Sequence, residues 1–131
     1  MIGIVIVAHG GLAREYLSAV EHVVGPQVGI RAVTFEAEHD RAEKKAEIME
    51  AANAVDTGDG VVVVVDLIGS SPANLALPAC ALQDRTIIYG ANMPMLLALA
   101  KSRNQPIAKA VAKAEEAGRK YINSYTVPVA S

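Results

Sequence analysis

Cysteine is almost missing from this 131-residue chain: Cys80 stands alone, so neither a disulfide framework nor a thiolate metal cage can form within one chain. It falls in an Ala/Leu-rich helical stretch, where a buried, inert thiol is the expectation. An excess of positive charge is missing as well. Twelve Lys and Arg face fourteen Asp and Glu, a net charge of −2, which leaves no basic stripe to neutralise phosphates and argues against nucleic acid as the main partner. No apolar run has the length needed to span a bilayer. The opening segment lacks a basic n-region and is too short and β-branched for a signal peptide, so a cytoplasmic protein is expected. Repeats and low-complexity segments are absent too. Small apolar residues are abundant instead: apolar types make up 52% of the chain, mostly Ala and Val, enough for one domain over residues 1–131 with closely layered helices and strands.

Strand and helix signals alternate throughout. Residues 2–8 are β-branched and apolar, which predicts a buried parallel strand. Leu12, Tyr16, Val20 and Val23 then recur at helical spacing until Gly25-Pro26. Ile30 to Phe35 reads as a second strand. A charged helix opens at His39-Asp40, with Ala42, Ala46, Met49 and Ala52 as its apolar face, and ends near Thr57-Gly58. Val61 to Val65 is an unbroken β-branched strand, and a helix follows Ser70-Ser71-Pro72, with proline suited to a first turn. Thr86 to Tyr89 is a fourth strand, Met93 to Lys101 a short helix, and Gln105-Pro106 opens another that runs to about Gly118. Such alternation predicts an α/β fold: a doubly wound, mostly parallel sheet with helices on both faces and right-handed crossovers. The tail from Tyr121 to Val129 has strand-forming residues, but Pro128 confines it to an edge or strand end. A neighbouring subunit could accept it by strand exchange; it could equally join its own sheet or fray.

Two strand ends carry the chemistry. His9 stops the first apolar run and precedes Gly10-Gly11, which puts an imidazole that titrates near neutrality in the crevice where open α/β sheets bind ligands. Asp66 stops the Val61–Val65 run, and Gly69-Ser70-Ser71-Pro72 turns the chain into a helix. In the usual strand order the first and third strands are neighbours, so His9 and Asp66 should face each other. The carboxylate can accept the ring N–H and fix its tautomer. The helix start near Ser71 offers N–H groups to an anion, with the hydroxyls of Ser70 and Ser71 beside them. Each part alone has a blander use: His9 as a loop bond, Asp66 as a turn residue, Ser70 or Ser71 as a helix cap. Together they describe a histidine that accepts a phosphoryl group. His22, late in its helix, suits the C-terminal dipole, and His39 beside Glu38 and Asp40 reads as solvated surface.

The segments IVIVAHGGLA, VDLIGSSPANLA and YGANMPMLL, in that order and at these separations, resemble the enzyme IIA component of the mannose family of the bacterial phosphoenolpyruvate-dependent sugar phosphotransferase system. The resemblance covers most of the chain and implies a doubly wound homodimer with exchanged C-terminal edge strands. It implies that His9 takes a phosphoryl group from the histidine phosphocarrier protein and hands it to a IIB domain or protein. By the same resemblance Asp66 stands beside the ring, Ser71 binds the phosphoryl group and Gly69 belongs to the same turn; Ser70 and Gly10 are further candidates for holding that group. Asn92, Met93 and Pro94 match a loop bordering the site. No cofactor or metal is implied, and contact with the membrane would run only through IIC and IID components. Leu67 departs from the family, in which a hydroxyl residue often follows the aspartate.

Other readings compete. The chain ends without a fused IIB domain and has Leu67, as a purely regulatory IIA protein would. The phosphoryl-transfer subunit of dihydroxyacetone kinase shares the leading histidine, but the Ser-Ser-Pro turn and Asn-Met-Pro-Met loop favour the mannose branch. A tetrapyrrole metal chelatase can open with a similar segment, using histidine as metal ligand, yet would need a second histidine at the pocket, for which His22 and His39 look badly placed. A histidine phosphatase needs arginine where this chain has Ala8.

Overall fold

The computed structural model describes every residue except Ile68, Gln83 and Ser131; Ile68, within the Val65–Pro72 segment singled out above, thus lies outside the described residues. Four strands, β1 (Gly3–His9), β2 (Ile30–Phe35), β3 (Val61–Val65) and β4 (Arg85–Tyr89), alternate with helices α1 (Leu12–Val24), α2 (Arg41–Val55) and α3 (Ser71–Ala76), then α4 (Met93–Lys101) and α5 (Ile107–Lys120). The strands form one sheet in the order β2-β1-β3-β4, and each adjacent pair is parallel.

The reason for the unbroken apolar runs is burial on both faces. Along β1 and β3, Val5, Val7, Val61, Val63 and Val65 point into a core closed by α2 and α3. The alternate residues Ile4, Ile6, Ala8, Val62 and Val64 point into a second core with α1, α4 and α5. All of β3 is buried, and each such side chain contributes roughly 1.5–3 kcal/mol by leaving water. Gly3 is needed because a Cβ there would overlap the Val55 carbonyl oxygen. At the amino end, buried Arg103 donates to Ile2 O at 2.8 Å and Gly29 O at 3.1 Å, tying the segment after α4 to the starts of β1 and β2.

Three expectations need correction. The buried stripe of α2 is Ile48, Ala51, Ala52 and Val55, whereas Ala42 and Ala46 are exposed and Met49 only partly buried. Alanine is too small to define a face, and the single isoleucine sets the register. The helix after Pro72 is also shorter than its Ala/Leu content suggests: at Leu77–Cys80 it tightens into a 3-10 turn, because Pro78 has no N–H to continue the α ladder. Cys80 is therefore on that turn and partly buried; burial pushes its thiol up to about 11, in keeping with an inert role. Finally, residues 122–130 form neither helix nor strand within the chain and are exposed throughout, so the tail does not join its own sheet.

Candidate phosphoryl-acceptor site

The site begins where pairing stops. Register between β1 and β3 ends at Val7 opposite Val65, so His9 and Asp66 stand beyond the last shared rung, side by side. Asp66 fills the missing partner position: its Oδ2 accepts the His9 backbone N–H at 3.0 Å, and His9 Nδ1 lies 2.7 Å from the same oxygen. Oδ1 accepts the Leu67 backbone N–H at 2.9 Å. Burial pushes the Asp66 carboxyl upward, but the His9 N–H, the His9 ring and the Leu67 N–H outweigh it and hold the group below the usual carboxylate range. An ionised carboxylate can only accept, so in the neutral ring Nδ1 carries the proton and Nε2 the lone pair. The His9 side chain is 52% exposed against 12% for Asp66: the carboxylate is sheltered and the imidazole open.

Gly10 shapes the turn. Its φ of 57° is left-handed, which suits glycine, and it exchanges two backbone bonds with Phe35 (Gly10 N–H to Phe35 O 2.7 Å, Phe35 N–H to Gly10 O 3.1 Å). Its amide is thereby committed to β2 rather than turned toward a ligand. Gly69 is also left-handed, with φ 75°. Ser70 serves as the cap of α3, its hydroxyl donating to Leu67 O at 2.7 Å and accepting from Ala73 N–H at 3.4 Å. The commoner use of serine thus accounts for Ser70. Pro72 has no N–H and that of Ala73 is taken, so at most the amides of Ser70 and Ser71 remain for an anion. Ser71 lines a cleft of about 380 Å³ with His9 and Gly10.

The same cleft holds residues that the sequence did not single out. Phe35, Glu36 and His39 form another part of its lining. His39 packs edge-on against Phe35, ring centroids 4.7 Å apart, and its Nδ1 lies 3.1 Å from Glu36 O. Solvated surface is therefore not its whole setting, and the Gly10–Phe35 bridge explains why: it draws the β2–α2 loop beside the end of β1. Tyr16 was expected only as a helix-face residue. Its hydroxyl donates to Ala91 O at 3.2 Å, and burial, then the Asp66 charge, raise its pKa. No sequence signal marks either residue beyond its type. His22 is exposed in the last turn of α1.

Asn92, Met93 and Pro94 are placed less directly. Asn92 Oδ1 caps α4 by accepting from Met95 N–H at 2.9 Å, and its Nδ2 donates to Gly118 O at 3.0 Å, a use of the side chain that joins α4 to α5. It lines a different cleft, of about 320 Å³, along β4 and α5. Met93 packs on the α1/α4/α5 core, and Pro94 is partly buried in the first turn. The loop touches the site through backbone: Gly90 N–H donates to Asp66 O at 3.2 Å and Ala91 N–H to Val65 O at 3.1 Å. Among the described residues no group of three or more His, Cys, Asp or Glu is arranged to hold a metal ion, and no helix is long and apolar enough to cross a membrane.

Comparison with known proteins finds one matching family model, EIIA-man, described as PTS system fructose IIA component, over residues 3–115. The PTS system mannose-specific EIIAB component of Escherichia coli K12 is 32% identical over 127 residues, covering 94% of this chain and 39% of that protein. The chain thus spans about two fifths of the length of the curated relatives it matches. Among solved structures, the PTS IIA protein associated with the fucose utilization operon of Streptococcus pneumoniae is similar at TM-score 0.81 and 26% identity, covering 93% of this chain and 92% of that one. Phosphotransferase system component EIIA from Streptococcus agalactiae gives TM-score 0.84 at 24% identity, with 95% and 97% covered. The mannose/sorbose specific IIA subunit from Enterococcus faecalis gives 0.85 at 21%, with 98% of each covered. The last two likenesses speak to the fold alone.

Proposed function

The chain belongs to the mannose family of phosphotransferase-system IIA components, and from that premise we propose that it is a cytoplasmic phosphocarrier whose acceptor is Nε2 of His9. The observation that carries this reading is the double hold of Asp66 Oδ2 on His9, by backbone N–H and by Nδ1. It fixes the tautomer in which the exposed Nε2 has its lone pair free. The donor is the histidine phosphocarrier protein, and the recipient a IIB domain or protein. In the transfer, the Nε2 lone pair attacks phosphorus, the bond from phosphorus to the donor nitrogen breaks, and the donor ring keeps that electron pair. Each ring retains the proton on its other nitrogen. His9 becomes an imidazolium bearing the phosphoryl group, and the ionised Asp66 beside Nδ1 stabilises that charge. Such transfers ask a protein for positioning and charge stabilisation more than for covalent chemistry. Ser71, on the cleft lining, supplies a hydroxyl to the phosphoryl oxygens. Leu12, three residues after His9, and Leu67, next to Asp66, are 40% and 59% exposed and offer apolar surface to the docked partner.

The same reading includes a homodimer. β4 ends the sheet, and Tyr121, Ile122, Tyr125, Val127 and Val129 of the tail are all exposed. An open strand edge and an apolar, strand-forming tail in one chain are what exchange between two copies would satisfy.

Incubation with phosphoenolpyruvate, enzyme I and the histidine phosphocarrier protein tests the function. Acid-labile, base-stable label should enter the wild-type protein and be lost in His9→Ala; label persisting in that variant refutes the assignment.

A further inference from the structure

We infer that His39 is a second, protonation-dependent ligand of the phosphoryl group on His9, an inference that rests on the function proposed above. The ring lines the same cleft as His9 and Ser71 and is held by two contacts, its edge-on packing against Phe35 and the Glu36 carbonyl 3.1 Å from Nδ1. A carbonyl oxygen only accepts, so Nδ1 carries a proton in either charge state. The state of Nε2 is then all that can change. In the neutral ring Nε2 offers a lone pair, which repels a phosphoryl oxygen; in the charged ring it offers an N–H and a full positive charge.

The neighbouring charges leave this task to His39. On its own loop, Glu36 is matched by Lys44 of α2, 3.6 Å away, and Asp40 caps α2 through the Glu43 N–H at 3.0 Å. Glu38 and Arg41 are exposed. Lys44 is further engaged by Glu47 at 3.0 Å and stands 5.9 Å from the Phe35 ring centre. From β1 and β3 come His9 and Asp66, paired with each other, and from α3 the uncharged Ser71. The described lining of the cleft includes no Lys or Arg, so beside His9 itself His39 is the lining group able to become positive. Arrival of a group with close to two negative charges favours the protonated ring. Phosphoryl acceptance and proton uptake are thereby coupled.

The test is the equilibrium of phosphoryl exchange with the histidine phosphocarrier protein between pH 5.5 and 8, measured for wild type and for His39→Gln. Taking the ratio of the two proteins cancels the donor's own pH dependence. The ratio should rise by roughly tenfold or more toward low pH, the worth of a charge-assisted hydrogen bond. A second readout needs no variant: a His39 Nε2–H proton resonance should emerge on phosphorylation below neutral pH. A flat ratio, or label at His9 with no such resonance, overturns the role of His39 while leaving the phosphocarrier reading intact. Absence of label at His9 in wild type overturns both.

Discussion

The carboxyl ends of β1 and β3 and the outer edge of β4 are both places where the sheet stops, and they stop differently. At the first, the chain completes itself. Asp66 takes the His9 N–H and ring together, Gly10 closes onto Phe35, and Ser70 caps α3. At the second, no strand among the described residues lies beyond β4, and apolar residues of the tail stand in solvent. A site built from side chains of adjacent strands can orient its imidazole within one molecule, whereas an open strand edge is a template for pairing with another chain. The proposed chemistry and the proposed assembly thus draw on different parts of the chain.

Cutting the chain after Lys120 breaks the comparison most sharply. Sedimentation should then show monomer in place of dimer, while phosphorylation of His9 continues; loss of labelling together with the dimer would mean that the site depends on the partner copy. Asp66→Asn attacks the other region. It removes one charge-assisted pair, worth roughly 1.5–3 kcal/mol, so the rate of phosphoryl acceptance should fall about 10- to 100-fold with the dimer unchanged. Ser70→Ala is milder: loss of a helix cap costs about 1 kcal/mol, read as a lower denaturant midpoint with His9 still labelled.

Acid titration sharpens the same contrast. Asp66 is held below the usual carboxylate range, so its contribution to stability is present above its unfolded pKa and is lost only as pH falls through its lower folded value. The His9–Asp66 pair should hence survive at about pH 4, near the ordinary aspartate midpoint, as followed by the side-chain carboxyl carbon shift. Titration of Asp66 above that midpoint would contradict the pairing.

Much of this was legible in the sequence because strand burial on both faces leaves an unmistakable mark. Val61–Val65 reads as a strand with no structural help, and the neighbouring of β1 and β3 follows from the usual strand order of a doubly wound sheet, which brings His9 to Asp66. Legibility ends where a residue's setting depends on a contact distant in sequence. His39 is a surface histidine until the Gly10–Phe35 bridge brings its loop to β1. Asn92 looks like a loop residue of the site until its amide is seen spent on Met95 and Gly118. Ala42 and Ala46 mimic an apolar face because alanine is compatible with burial and exposure alike.

Nitrogen-resolved NMR of the His9 ring, before and after phosphoryl transfer, tests the central claim most directly. The account expects Nδ1 protonated in both states and phosphorus coupled to Nε2 in the second. Phosphorus on Nδ1, or a His9 ring unchanged while the protein carries label, would contradict it.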